Sequence, residues 1–196
     1  MVSGFLQAGL LQDVIRGAEI SYEMAYVNHF REQALAWLLL AAYVFFIVCF
    51  LRWFGRAYRN LSIRLGPVSS TVSGAIWCWF IPVLAFFKPY RLVLELFDTI
   101  ESYLRYRKVL LKPVRRRVLL FFWWSFWVGC SAVECMFLRS GQGDLGPDEM
   151  LEITYFGMFV DGWEILTALL TFFVVRIYAR MEETLFELPP AEDRKV

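Results

Sequence analysis

Residues 34–53 read ALAWLLLAAYVFFIVCFLRW, an uncharged run broken only by Arg52 near its far end. A helix of about 20 residues rises about 30 Å, enough to cross the hydrocarbon core of a bilayer. In a soluble protein the rest of the chain would have to bury that helix. Here the rest is apolar too. The 196 residues are 59% hydrophobic and 18% aromatic, with a mean hydropathy of +0.50, and a fold of this size has too little interior for so much apolar surface. The stretch reads as a transmembrane helix, and the chain as an all-α integral membrane protein.

Three more apolar segments follow. Val72–Phe87 is short and contains Gly74 and Pro82; Val118–Phe137 opens on Arg115, Arg116 and Arg117; Tyr155–Ile177 carries Asp161 and Glu164. The expected fold is therefore three or four transmembrane helices plus amphipathic interfacial helices. The expected organisation is an interfacial segment over 1–33, a membrane domain over 34–183 and a polar tail over 184–196. The first residues lack the basic region and small-residue cleavage site of a signal peptide, so the chain is read as mature from Met1.

Two stretches read as amphipathic helices. Near the N-terminus, Phe5, Leu6, Leu10, Leu11, Val14 and Ile15 recur at helical spacing opposite Gln7, Gln12, Asp13 and Arg16. Such a helix lies on a membrane face or packs on the protein's own spans. In Tyr90–Lys112, Val93, Leu96, Phe97, Ile100, Leu104 and Leu111 share one face. Glu101 precedes Arg105 by four residues, the favourable order for a helical ion pair. Pro113 is expected to end that helix, which would ride the membrane interface.

Basic flanks mark the cytoplasmic side of spans. The stretch from Lys88 to Arg117 is strongly basic, and the loop Arg139–Glu152 is acidic. That places the first inside and the second outside. Arg52, Arg56, Arg59 and Arg64, with no acid among them, pose a conflict. Four full spans put them outside; a re-entrant Val72–Phe87 puts every basic stretch inside, provided other protein covers any non-helical backbone at membrane depth. Both readings stand at this point.

The strings RWFGRAYRN (Arg52–Asn60), WCWFIPVLAFFKPYRLVLEL (Trp77–Leu96) and VVRIYARMEE (Val174–Glu183) resemble a bacterial membrane-protein family catalogued as domain of unknown function 4328. The shared pattern is W-x-x-R-A-x-x-N, then W-F-I-P, then P-Y-x-x-x-x-E, then a basic V-V-R. The resemblance covers about Ala34 to Glu183 and implies a multi-pass protein of the bacterial inner membrane. It implies no activity.

The motif residues Arg56, Arg59, Asn60, Trp79, Pro82, Pro89, Tyr90, Arg91 and Glu95 suggest a cluster at the cytoplasmic face. Arg56 or Arg59 would pair with Glu95, and Asn60 would bond backbone freed by Pro82. A structural tie is the plainer expectation; arginines holding a lipid phosphate are the sharper one. Glu134, Asp161 and Glu164 are intramembrane carboxylates, costly at such depth and turned to protein or water. They suggest a cation or proton path, or a contact to a partner. Arg115, Arg116 and Arg117 are expected to face anionic lipid of the cytoplasmic leaflet.

Catalytic patterns are missing. The sequence has no GxSxG, HExxH or phosphate-binding loop, no CxxC pair and one histidine, His29. No enzyme, metal or cofactor is expected. Cys49, Cys78, Cys130 and Cys135 all sit in apolar runs and read as small hydrophobes. The net charge of +1 gives no field for nucleic acid. The expected function is a non-enzymatic accessory or scaffold subunit of a larger inner-membrane assembly. The alternative is a homo-oligomeric channel or transporter using the carboxylates, although no inverted repeat is evident.

Overall fold

The computed structural model describes residues 2–18, 21–66, 68–109, 115–140 and 146–188, the side chains of 2, 134 and 137–140 excepted. The described residues are all-helical. Seven helices follow in order: α1 (Val2–Ile15), α2 (Tyr22–Leu65), α3 (Val72–Trp77), α4 (Pro82–Ala85), α5 (Lys88–Tyr106), α6 (Arg116–Ser140) and α7 (Pro147–Glu187). Two of them, α2 and α7, are long and apolar enough to cross a bilayer, which is consistent with membrane association. The run Val118–Phe137 lies within the 25 residues of α6.

The first apolar run is less than half of α2, which has 44 residues. Helix therefore extends through Tyr22–Gln33, where an interfacial segment was expected. At the other end α7 continues to Glu187 and buries Leu185, so helix and packing run past residue 183. The segment Val72–Phe87 is not one helix. It forms α3 and α4, of 6 and 4 residues, joined by a turn. Neither reaches a third of the roughly 30 Å a continuous span must cover. Pro82 starts α4, where its missing N–H costs nothing.

The chain divides into two compact units. The first comprises Met1–Phe46 and Phe126–Leu169. Its α1 ends in a Schellman motif: Gly17 adopts φ +85°, and Gly17 and Ala18 donate to the Val14 and Asp13 carbonyls. Gln7 accepts from Asn28, Gln12 donates to Tyr155, and Ser3 donates to Glu32. Phe5, Leu6 and Ile15 stay exposed. Thus α1 packs on its own chain through Ser3, Gln7, Ala8 and Gln12, with Leu10, Leu11 and Val14 half-buried, and its apolar and polar side chains are not sorted onto two faces as the spacing suggested.

The second unit comprises Ile47–Ser125 and Leu170–Val196. Its core is Phe54, Ala57, Tyr58 and Leu61 of α2, Leu92, Val93, Leu96, Phe97, Ile100 and Leu104 of α5, Leu120 and Trp123 of α6, and Val174, Tyr178, Met181 and Leu185 of α7. The apolar stripe of α5 was expected on the membrane interface; it is instead core. Each such side chain contributes about 1.5–3 kcal/mol over an exposed one. The helix ends at Tyr106, before Pro113. Lys108 takes the left-handed position at φ 57°, and Val109 N–H donates to the Leu104 carbonyl. Leu111, Lys112 and Pro113 lie outside the described residues.

Candidate functional site

The residues of the family-like motifs meet in the second unit, around the last four turns of α2. At 100° per residue the buried Phe54, Ala57, Tyr58 and Leu61 share one face, and Arg52, Arg56 and Arg59 fall about 180° away. The fully buried Tyr58 is the centre of a polar knot. Its hydroxyl donates to Glu95 Oε2 at 3.0 Å and accepts the Ser70 N–H at 3.0 Å. Glu95 also accepts the Ser69 N–H at 2.7 Å and the Ser69 hydroxyl at 2.5 Å. The chain leaving α2 at Gly66, φ +100°, is thereby tied to α5. Thr71 then caps α3 by accepting the Gly74 N–H.

Glu95 is therefore held by Tyr58 and Ser69 rather than by Arg56 or Arg59, both of which are exposed. Asn60 likewise finds a different partner. Its side-chain amide donates to Glu182 at 2.7 Å, on α7, and not to backbone near Pro82. Glu182 is buried, and an isolated buried carboxylate is costly, so this bond is a condition of packing α7 on α2. One turn away, the Tyr178 hydroxyl is buried without a hydrogen-bond partner among the described residues, as is the Trp53 indole nitrogen. Their rings meet edge to face at 5.6 Å. Further along, Arg64 donates to the Leu185 carbonyl and lies 4.2 Å from the centre of the Phe186 ring.

An aromatic wall stands beside the knot. Trp79, from the W-F-I-P string, meets Phe50, Phe54 and Trp124 edge-on at 5.2, 5.8 and 6.1 Å. Tyr90 stacks on Trp124 at 5.9 Å, and the Trp124 indole N–H donates to the Phe86 carbonyl. Trp123 is buried and donates to Thr171. Pro89 lies in the first turn of α5, and Arg91 is exposed.

The triple arginine is divided in its roles. Arg116 pairs with Glu101 at 2.7 Å and Arg117 with Asp98 at 3.1 Å, while Arg115 is exposed. Arg105 also pairs with Glu101, as its spacing predicts. Burial pushes the Glu101 carboxyl up, but the two guanidinium groups outweigh it and hold the net value below the usual glutamate range. Two of the three arginines expected to face lipid are thus engaged by carboxylates of α5.

The first unit holds Asp161, half-buried, and Glu164, exposed, both on α7. The side chain of Glu134 lies outside the described residues. In the same unit Gly129 makes room for Trp163, whose indole N–H donates to the Phe126 carbonyl at 3.0 Å. Cys78 and Cys130 are buried, as small hydrophobes should be, but Cys49 and Cys135 are exposed.

Sequence reasoning found Glu95 and Asn60 but not Tyr58, Ser69 or Glu182, which complete their bonds. The available signal was periodicity: Tyr58 lies four residues after Phe54 and three before Leu61, on the buried stripe. The completed network ties the chain reversal after α2 to α5, and α7 to α2. Comparison with curated proteins and with solved structures gives no match. The family model described as "Domain of unknown function (DUF4328)" matches residues 16–180, most of the chain, and the protein belongs to that family.

Proposed function

We propose that the protein is a non-enzymatic, multi-pass subunit of the bacterial inner membrane that docks onto a larger assembly through the first half of α2. One observation carries this reading. The most apolar 18-residue window of α2, with mean hydropathy 2.7, is 0% buried, against 22% for the window of α7. The core helix of a soluble protein would be mostly buried. The same helix is well packed further on, where Phe54, Ala57, Tyr58 and Leu61 enter the core, so the bare membrane run is followed directly by a buried face. Ala34, Ala36, Ala41 and Ala42 are exposed there beside Trp37, Leu38 and Phe45. Small residues among large ones let a second helix approach closely in a bilayer.

In this reading the segment Val72–Phe87 enters from the cytoplasmic side without crossing, α6 and α7 complete the spans, and all basic flanks are cytoplasmic. The test is purification of the tagged protein from its native membrane in mild detergent, with mass spectrometry of what stays bound. The expected result is a stoichiometric set of other membrane proteins that is lost in Ala41→Phe while the fold is retained. A monomer, or a set indifferent to Ala41→Phe, overturns the reading. A homo-oligomer overturns it in favour of a pore using Asp161 and Glu164, and Asp161→Asn with Glu164→Gln would then abolish flux.

A further inference from the structure

Between Glu32 and Glu95 the chain has no acidic residue and six basic ones, Arg52, Arg56, Arg59, Arg64, Lys88 and Arg91. Arg64 is engaged with Leu185 and Phe186. Arg52, Arg56 and Arg59 are all exposed, and none makes an ion pair among the described residues. They are spaced four and three residues apart, so they form one stripe, within about 60° of arc, opposite the buried face of α2. Val48, one turn earlier on that face, is exposed and apolar. From Arg52 to Arg59 the axis rises about 10 Å, somewhat more than the roughly 5–8 Å headgroup layer on one side of a bilayer, a difference that long arginine side chains cover by snorkelling.

The geometry points to this stripe as the protein's binding site for anionic phospholipid. The apolar run of α2 enters the hydrocarbon, and the three guanidinium groups then stand at headgroup height, none within ion-pair distance of a carboxylate among the described residues. A guanidinium fork matches a phosphate in charge and in donor geometry. The Arg115–Arg117 run, the more conspicuous basic feature of the sequence, is two-thirds committed to Asp98 and Glu101. The inference rests on the membrane placement of α2 and not on any partner protein, so losing the copurifying set would leave it standing.

Native mass spectrometry of the full chain, released from micelles doped with phosphatidylglycerol or phosphatidylcholine, reads the site directly. Phosphatidylglycerol should be retained in preference. Replacing Arg52, Arg56 and Arg59 by Gln should weaken its retention by about fivefold per arginine, from about 1 kcal/mol per basic residue near the lipid surface. Arg117→Gln, which removes a guanidinium already paired with Asp98, should change it by less than about twofold. Undiminished retention in the triple variant, or a loss confined to the Arg117 variant, overturns the inference. A salt series on the unmodified protein gives a check independent of variant folding, because exposed charges are screened beyond a Debye length of about 10 Å at 0.1 M. Retention indifferent to salt also overturns it.

Discussion

Removing the Glu95 carboxylate tests whether the polar knot holds the second unit together. Glu95→Ala deletes three hydrogen bonds, two from Ser69 and one from Tyr58. Ser69 is exposed, so water replaces much of what its two donors lose. Tyr58 is buried, and its hydroxyl loses its acceptor while still receiving the Ser70 N–H. Counting about 1–3 kcal/mol for the buried group and a fraction of that for each exposed one gives about 2–3 kcal/mol. For a chain of this size that lowers the melting temperature by roughly 5–10 °C. Tyr58→Phe removes the same central bond and should cost about 1–2 kcal/mol. Because one bond is common to both variants, the double variant should fall short of the sum by about 1 kcal/mol. The assay is thermal unfolding of the detergent-solubilised protein, followed by circular dichroism. Arg56→Gln and Arg59→Gln serve as the contrast, since an ion pair to Glu95 would couple them to Glu95→Gln. Strict additivity of Tyr58→Phe with Glu95→Ala, together with coupling of either arginine to Glu95, would refute the reasoning.

Three further outcomes are expected. Asn60→Leu leaves the buried Glu182 without the donor it has at 2.7 Å and should destabilise by about 1.5–3 kcal/mol, the range for a hydrogen bond to a charged group; Asn60→Leu with Glu182→Leu should recover part of that loss in the same melt. Gly129→Ala places a methyl 2.9 Å from the Trp163 ring and should cost about 1–3 kcal/mol by overpacking, with a change in tryptophan fluorescence as that indole leaves the Phe126 carbonyl. The Glu101 carboxyl has a lower pKa folded than unfolded. Its stabilisation is therefore fully present above the ordinary glutamate value of 4.5 and is lost as pH falls below it. Glu101→Gln should flatten that acid limb of a stability-against-pH series; an unchanged limb assigns the acid sensitivity to another group.

Helicity, the long apolar helices and the buried stripe of α5 were legible because each is a periodic property of consecutive residues. What that stripe packs against was not legible. Val93, Leu96 and Ile100 would look the same on a lipid surface or in a core, and tertiary contact decides. The end of α5 was misplaced for a local reason. Pro113 is a strong stop signal, but a Schellman turn closed at Lys108 first, with a left-handed lysine where glycine is usual. The second apolar segment kept two readings open because Gly74 and Pro82 permit a break without requiring one.

The partners of the motif residues were the least legible, and the reason bears on what the family likeness means. Charge complementarity suggests Arg56 or Arg59 for Glu95, since opposite charges a turn or two beyond neighbouring spans should meet. A carboxylate near a chain reversal, however, has backbone and hydroxyl donors at hand, and Ser69 supplies two from one residue. Those donors are short and already local, whereas a long arginine side chain loses rotamer freedom to reach in. The arginines are left to the opposite face of α2. Trp79, Pro82, Pro89, Tyr90 and Glu95 then build the aromatic wall, start two helices and tie the reversal, while Asn60 anchors α7. A likeness carried by such residues transmits the architecture of the second unit. It transmits chemistry only through the side chains that architecture leaves outward, and at the end of α2 the pattern residue so placed is Arg56, which this chain flanks on the same face with Arg52 and Arg59.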